Sequence, residues 1–384
     1  MNSNTFQDQP GQKLSYKYGS LQNVDKGIRQ QAVDHNLEVI KYGKELGSNS
    51  LTVWLSDGSS FPGQLNFRKA FQNTLEGLKD IYAGLPDDWK VFVEYKAFEP
   101  NFYSMSVGDW GQSLLYASKL GPKAYTLVDL GHHLPNANIE QIVSLLLMEK
   151  KLGGFHFNDS KYGDDDLTVG SMRPYQLFLI FRELVEGMDA RGMNHAKDLG
   201  WMIDASHNIK DPLEDLLQSV EAIQIAYAQA LLVDDKALDE ARESNDVVRA
   251  QEILQQAFRT DVRSVVAEAR RRSGAAIDPL GAYRAMKIRD TLIGERGAVS
   301  KATGLWSHKL NMMQKKSVVA ILDVGKTNKK LLLFDEAYNL VYEKSDRMEE
   351  TVDEDGFPCE DLASLTSSVV EMIGSSLKIE GFVV

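Results

Sequence analysis

Residues 125–159 read YTLVDLGHHLPNANIEQIVSLLLMEKKLGGFHFND: an apolar run, a helical stretch and a second apolar run. Such a strand–helix–strand unit is the building block of a parallel sheet covered by helices. The first run ends in Asp129 and the second carries His156. Working outward, KVFVEYK (90–96) supplies Glu94 and GWMIDAS (200–206) supplies Asp204. Four hydrophobic runs therefore each deliver one metal-capable side chain, and strand ends opening on one mouth are how a (β/α) barrel assembles a site. Three carboxylates and an imidazole form a mixed O/N donor set. It suits Mn²⁺, Mg²⁺ or Co²⁺ better than a thiolate zinc site would.

SLTVWLSD (50–57) adds a further strand, so five are expected between residues 50 and 206. The stretches between them carry helical periodicity, with Asn138 as a helix N-cap and Gly121 and Gly153 as helix stops. A closed barrel needs eight strands. The segment before residue 50 offers only one helix, about Val24–Leu46, so the sequence reads as a barrel that lacks its first βα units. From about Leu213 to Ser273 the pattern is helical, with breaks at Asp234-Asp235 and Asn245-Asp246, and the run Arg270-Arg271-Arg272 reads as a solvated helix end. Period and composition restart near Met312. The expected domains are thus 1–312, an isomerase-type barrel with a helical arm from about 213, and 313–384.

The chain has 384 residues, 43% of them hydrophobic and 26% charged, with a formal net charge of −12. That balance excludes a concentrated basic face for nucleic acid. No apolar run reaches the length of a bilayer span, and no secretory signal is visible, so the expected compartment is the cytoplasm. The single cysteine, Cys359, excludes an internal disulfide and a cysteine-based metal site.

On a strand, alternate side chains share a face, so Glu94 and Lys96 point the same way. His132 and His133 sit on the loop beyond Asp129, and Asp164, Asp165 and Asp166 offer oxygens for a second cation. An isolated histidine in an apolar strand is ordinarily core; the companions of His156 argue for a ligand. Trp54 ends its strand as an aromatic wall. Two cations, a lysine and no nicotinamide or flavin fingerprint fit hydrogen movement between neighbouring carbons of a chelated sugar. That is the chemistry of an aldose–ketose isomerase.

WLSDGSSFPGQ, EYKAFEP, LVDLGHHLPNANIEQIV, GGFHFNDSKYGDDDL and MIDASHN together closely resemble the L-rhamnose isomerase family, especially its bacterial broad-specificity branch, from about Phe6 to Trp306. The resemblance implies a structural Mn²⁺ on Glu94, Asp129, His156 and Asp204, and a catalytic cation on His132, Asp164 and Asp166, with Co²⁺, Mg²⁺ or Zn²⁺ as substitutes. It implies catalytic roles for Lys96, His132, Asp164 and Asp204, substrate contacts from Trp54, Phe6, Lys96 and Ser206, a metal-assisted C1–C2 hydride shift, and a homotetramer. Family members carry further βα units before Phe6, so low activity and aggregation are expected of this chain.

ILDVGKTNKKLLLFD is similar to the first hairpin of the FGGY carbohydrate kinases in the actin-like ATPase superfamily. There Asp323, Gly325 and Thr327 match the phosphate–metal motif, with Lys330 as the following basic residue. Lys326 departs from the small hydroxyl residue common at its position. An isomerase joined to the opening of a kinase suggests part of a bifunctional protein. The alternatives are an inactive fragment of it, or another metal-dependent barrel enzyme such as an epimerase or hydrolase.

Overall fold

The apolar runs become the strands of one parallel sheet. A computed structural model describes all residues except 4, 10, 100–102, 190–198, 206–209, 297–315, 318, 325–327, 336–338, 348–350, 353–357, 360–366, 368–381 and 384. The described residues form two compact units, Met1–Ile288 and Arg289–Val384.

In the first unit the strands are β1 (Ser50–Val53), β2 (Lys90–Glu94), β3 (Ala124–Asp129), β4 (Leu152–Phe157) and β5 (Gly200–Ile203). They pair in sequence order, and every pairing is parallel. Each crossover runs through a helix: α1 (Lys26–Glu45) precedes β1, then follow α2 (Phe67–Ala83), α3 (Trp110–Leu120), α4 (Ile139–Met148) and α5 (Pro174–Asp189). Sequential order with helical crossovers is the winding of a (β/α) barrel, and among the described residues the sheet holds five strands. The outer edge of β1 is not bare: Asn2 bridges Thr52 in parallel, and the Thr52 N–H donates to the Met1 carbonyl at 2.7 Å.

The helices begin where short polar side chains satisfy their free N–H groups. Asp25 accepts from Gly27 and Ile28, Asn66 from Lys69, Asp109 from Gln112 and Asn138 from Gln141. Gly121 closes α3 at φ 130°. Gly153 is a different matter, because it is no helix stop. Helix α4 ends at Met148, Lys150 turns the chain at φ 59°, and Gly153 already lies in β4. A Cβ there would come within 2.6 Å of Phe92 and 2.7 Å of Tyr125, so the position is glycine because neighbouring strands approach closely. Val53, Val93, Val128, Phe155 and Phe157 of the sheet are buried with Ala117, Val143, Leu146 and Phe181 of the helices. This apolar layer holds the strand ends rigidly.

Beyond β5 run α6 (Pro212–Ala230), α7 (Asp235–Glu243), α8 (Val247–Arg259), α9 (Arg263–Arg272) and α10 (Pro279–Ala285). The expected breaks carry caps from Asp234 and Asp246. Arg270 departs from its reading as a solvated end. It is 8% exposed, and its guanidinium donates to Gln224 Oε1 at 2.9 and 2.7 Å, clamping α9 onto α6. Arg271 and Arg272 remain exposed and pair with Glu268. Arg270→Ala is expected to cost about 1–3 kcal/mol in urea unfolding, against about 0.5 kcal/mol or less for Arg271→Ala. No single described helix is long and apolar enough to cross a membrane; α6 and α7 meet that test only together, across a 65° bend.

The second unit contains α11 (from Ile288 to Arg296, starting at the boundary) and an antiparallel sheet of β6 (Val319–Val324), β7 (Asn328–Phe334) and β8 (Leu340–Arg347). The hairpin β6–β7 registers Asp323 opposite Lys330. Lys330 pairs with Glu343 of β8 at 3.1 Å, while Gly325 and Thr327 lie outside the described residues.

Candidate metal centre

Glu94 and Asp129 are the last residues of β2 and β3, His156 is the penultimate residue of β4, and Asp204 directly follows β5. The ladder pairs Asp129 with His156, and the Asp204 N–H donates to the Phe157 carbonyl at 3.1 Å, so all four stand at one end of the sheet. Their ligand atoms lie within 4.8 Å of one another. His156 Nδ1 is 3.1 Å from Glu94 Oε1, 3.3 Å from Asp204 Oδ2 and 3.5 Å from Asp129 Oδ2. Glu94 Oε2 and Asp129 Oδ2 are buried with no hydrogen-bond partner. A buried carboxylate oxygen without a partner is costly, and a cation at this point would satisfy both. The donor set and the two orphaned oxygens fit a hard divalent ion.

The electrostatics agree. Burial alone would lower His156, but the carboxylates of Glu94 and Asp129 facing its ring outweigh it and push its pKa up to about 10. Burial likewise opposes the protonation of His132, yet Asp129, Asp164 and Glu94 raise it to about 9. Asp166 is pushed up to about 7 by burial and by the charges of Asp164, Asp129 and Asp204. The site is thus over-supplied with negative charge, and protonated imidazoles occupy the role a cation would take.

His132 and Asp164 come together. The His132 Nδ1–H donates to the Tyr95 carbonyl at 3.0 Å, which turns Nε2 to within 3.0 Å of Asp164 Oδ1. Asp164 Oδ2 lies 2.5 Å from the Lys96 ammonium, which also reaches Glu99 at 2.9 Å. Asp164 is held well below the usual carboxylate range: burial acts against this, but His132 and Lys96 prevail. The acidic triplet divides its labour. Asp165 accepts from Ser160 and from the N–H groups of Lys161, Tyr162 and Gly163, closing the loop on itself. Asp164 and Asp166 then sit at φ 58° and 50°, a left-handed backbone uncommon for such residues and concentrated at functional sites. Asp166 Oδ1 is 3.4 Å from Asn158 Nδ2.

Trp54, Phe6 and Lys96 form one cluster. The Phe6 and Trp54 rings meet edge to face at 4.9 Å, and the Lys96 ammonium stands 5.4 Å from the Trp54 ring centre. Ser206 lies outside the described residues. His133 is buried, accepts the Tyr95 hydroxyl at 2.7 Å, and is pushed down to about 4 by burial. Glu99 and Asn158 are the residues that sequence reading passed over. Asn158, 1% exposed directly after β4, had one visible signal: a polar amide where an apolar run ends beside a candidate ligand.

The chain is 56% identical over 306 residues to a probable sugar isomerase of Mesorhizobium japonicum, covering 79% of this chain and 70% of that protein. It is 56% identical over 304 residues to a probable sugar isomerase of Rhizobium meliloti, with the same coverage. No family model matches. Among solved structures, D-psicose 3-epimerase with D-tagatose from Clostridium cellulolyticum H10 overlaps at a TM-score of 0.39 and 13% identity. It covers 62% of this chain and 73% of its own, a likeness too distant to bear on chemistry.

Proposed function

As the chain belongs to the family of these two probable sugar isomerases, we propose that it interconverts an aldose and a ketose of the L-rhamnose/L-rhamnulose type, with a divalent cation. The observation that carries this reading is the convergence of Glu94, Asp129, His156 and Asp204 at one sheet end, with two orphaned buried oxygens and Lys96 alongside. These four residues would hold the first cation, and His132, Asp164 and Asp166 a second. When bound, such a cation polarises a sugar carbonyl and lowers the pKa of the neighbouring hydroxyl.

The protein's own groups supply the rest. Lys96 is kept charged, since Asp164 and Glu99 outweigh the effect of burial. Its ammonium donates to the carbonyl oxygen at the reacting end of the sugar. Asp164, bridging Lys96 and His132, holds both in place beside the reacting oxygens. Trp54 and Phe6 cover the apolar side of the chain of carbons and exclude water there. Within the substrate, hydrogen leaves C2 as hydride and arrives at C1 while the O2 proton passes to O1, so no external oxidant or reductant is consumed. The hairpin of the second unit, with Asp323 opposite Lys330, supports a further proposal: that it is the opening of an FGGY-type sugar kinase domain.

The test is incubation of the purified chain with Mn²⁺ and L-rhamnose deuterated at C2. Ketose carrying the label at C1 is expected. Loss of label to water would replace the hydride shift by an enediol route, and ketose-to-ketose conversion without aldose turnover would make the enzyme an epimerase. His132→Asn is expected to lower turnover about 10²-fold or more, while one Mn²⁺ per chain still binds at the Glu94 group. Loss of both cations in that variant would mean a single coupled site.

A further inference from the structure

Asn158 gathers three strand ends through one amide. Its Nδ2 donates to Asp129 Oδ1 at 2.9 Å and to the Asp204 backbone carbonyl at 3.0 Å, and it lies 3.4 Å from Asp166 Oδ1. Those acceptors belong to the end of β3, the residue after β5 and the acidic loop beyond β4. The orientation of the amide follows from its surroundings. With nitrogen and oxygen exchanged, a carbonyl oxygen would face three oxygens.

The consequence falls on Asp129. Its Oδ1 accepts both Asn158 Nδ2 and the Gly131 N–H, the latter at 2.8 Å. Both donors therefore hold the same oxygen, and the other, Oδ2, is left unpartnered and turned to within 3.5 Å of His156 Nδ1. Asn158 Oδ1 is itself buried without a partner, so the amide is retained for what its nitrogen does. Gly131 presses on the same group: a Cβ at that residue would lie 3.0 Å from Asn158 Oδ1. The backbone gives way so that the amide can stand there.

We propose that Asn158 is a positioning residue for the cation, fixing Asp129 as a one-oxygen ligand and tying Asp204 and Asp166 to it. This rests on the cation reading above. Hydrogen bonds to ligating carboxylates orient them and tune affinity. Removing the donor frees Asp129 to rotate and lets Asp204, the exposed member of the set, drift.

The experiment is calorimetric titration of Mn²⁺ into the parent chain and Asn158→Leu, with the visible absorption of bound Co²⁺ recorded in parallel. Leucine keeps the branched shape of the side chain and removes the donor. The dissociation constant is expected to rise about 10–100-fold at unchanged stoichiometry, with a changed Co²⁺ spectrum. Should Asn158→Leu fail to fold, Asn158→Ala is read in its place, since it deletes the donor without adding an apolar contact. A folded variant that melts earlier but binds Mn²⁺ as tightly as the parent, with the parent's Co²⁺ spectrum, would overturn the proposal and leave the function reading intact. A parent chain that takes up no Mn²⁺ would overturn both.

Discussion

Asp129→Asn is expected to abolish divalent-cation binding at the Glu94 group and, with it, isomerase turnover. The substitution is isosteric, and Oδ1 still accepts from Asn158 and Gly131, so the fold at the end of β3 is preserved. What changes is the orphaned oxygen: an amide NH₂ now points at the spot where His156, Glu94 and Asp204 converge. A donor facing a cation is repulsive, and one of three ligand carboxylates has lost its charge. Affinity should fall by more than the roughly 10–100-fold that changes around a ligand produce. Stability reads the same event. At a hundredfold excess of Mn²⁺ over its dissociation constant, binding stabilises the parent by about 2.7 kcal/mol, which for a unit of this size raises the melting temperature by roughly 4–5 °C. Asp129→Asn should lose the part of that rise that belongs to the Glu94 group, keeping at most what a cation on His132, Asp164 and Asp166 supplies. A metal-dependent rise as large as the parent's would remove Asp129 from the ligand set.

The parallel sheet was legible because its strands β1 to β4 are buried on both faces. Such strands read as unbroken apolar runs, and the ligand at the end of each run interrupts the pattern where the strand meets the mouth. All five expected strands are present, and the one helix start read from sequence, Asn138, caps α4; Asp25, Asn66 and Asp109 cap α1, α2 and α3 in the same way, on N–H groups within three residues. Local chemistry of this kind can be read locally. The misreadings concern residues whose partners are distant in sequence. Gly153 is explained by Tyr125 on the adjacent strand and Phe92 on the strand beyond it, and Arg270 by Gln224 on another helix. Neither partner is visible from the neighbours along the chain.

The candidate site divides in the same way. Glu94, Asp129, His156 and Asp204 could be found because each marks a strand end. His132 and His133 are identical by sequence, and only the fold separates them: one faces Asp164 and the other the Tyr95 hydroxyl in the interior. In the acidic triplet, Asp165 turns inward to the N–H groups of its own loop, which three consecutive aspartates cannot reveal. Asn158 was passed over because an amide advertises no charge, although its neighbours make it the hub of the site.

Lys96→Met should leave the cation bound and remove most of the turnover, about 10²–10⁴-fold in kcat. Lys96 is buried to 5% exposure between Asp164, Glu99 and the Trp54 ring, so methionine can fill its path through the apolar wall. The loss is electrostatic. Without the ammonium, Asp164 keeps His132 as its positive neighbour among the ion pairs of the described residues, and Glu99 loses its partner Lys96. A donor at the carbonyl oxygen matters most as charge develops there, so the damage belongs to kcat more than to KM. Arginine should not rescue it, because a planar fork cannot occupy the compact position over Trp54 while bonding both carboxylates at the present distances. Mn²⁺ affinity at the Glu94 group should change little, since Lys96 touches none of its four ligands among the ion pairs of the described residues. Steady-state kinetics on L-rhamnose beside Mn²⁺ titration separate the two effects. A Lys96→Met enzyme with unimpaired kcat would take the lysine out of the reaction and leave it a structural counter-charge for Asp164.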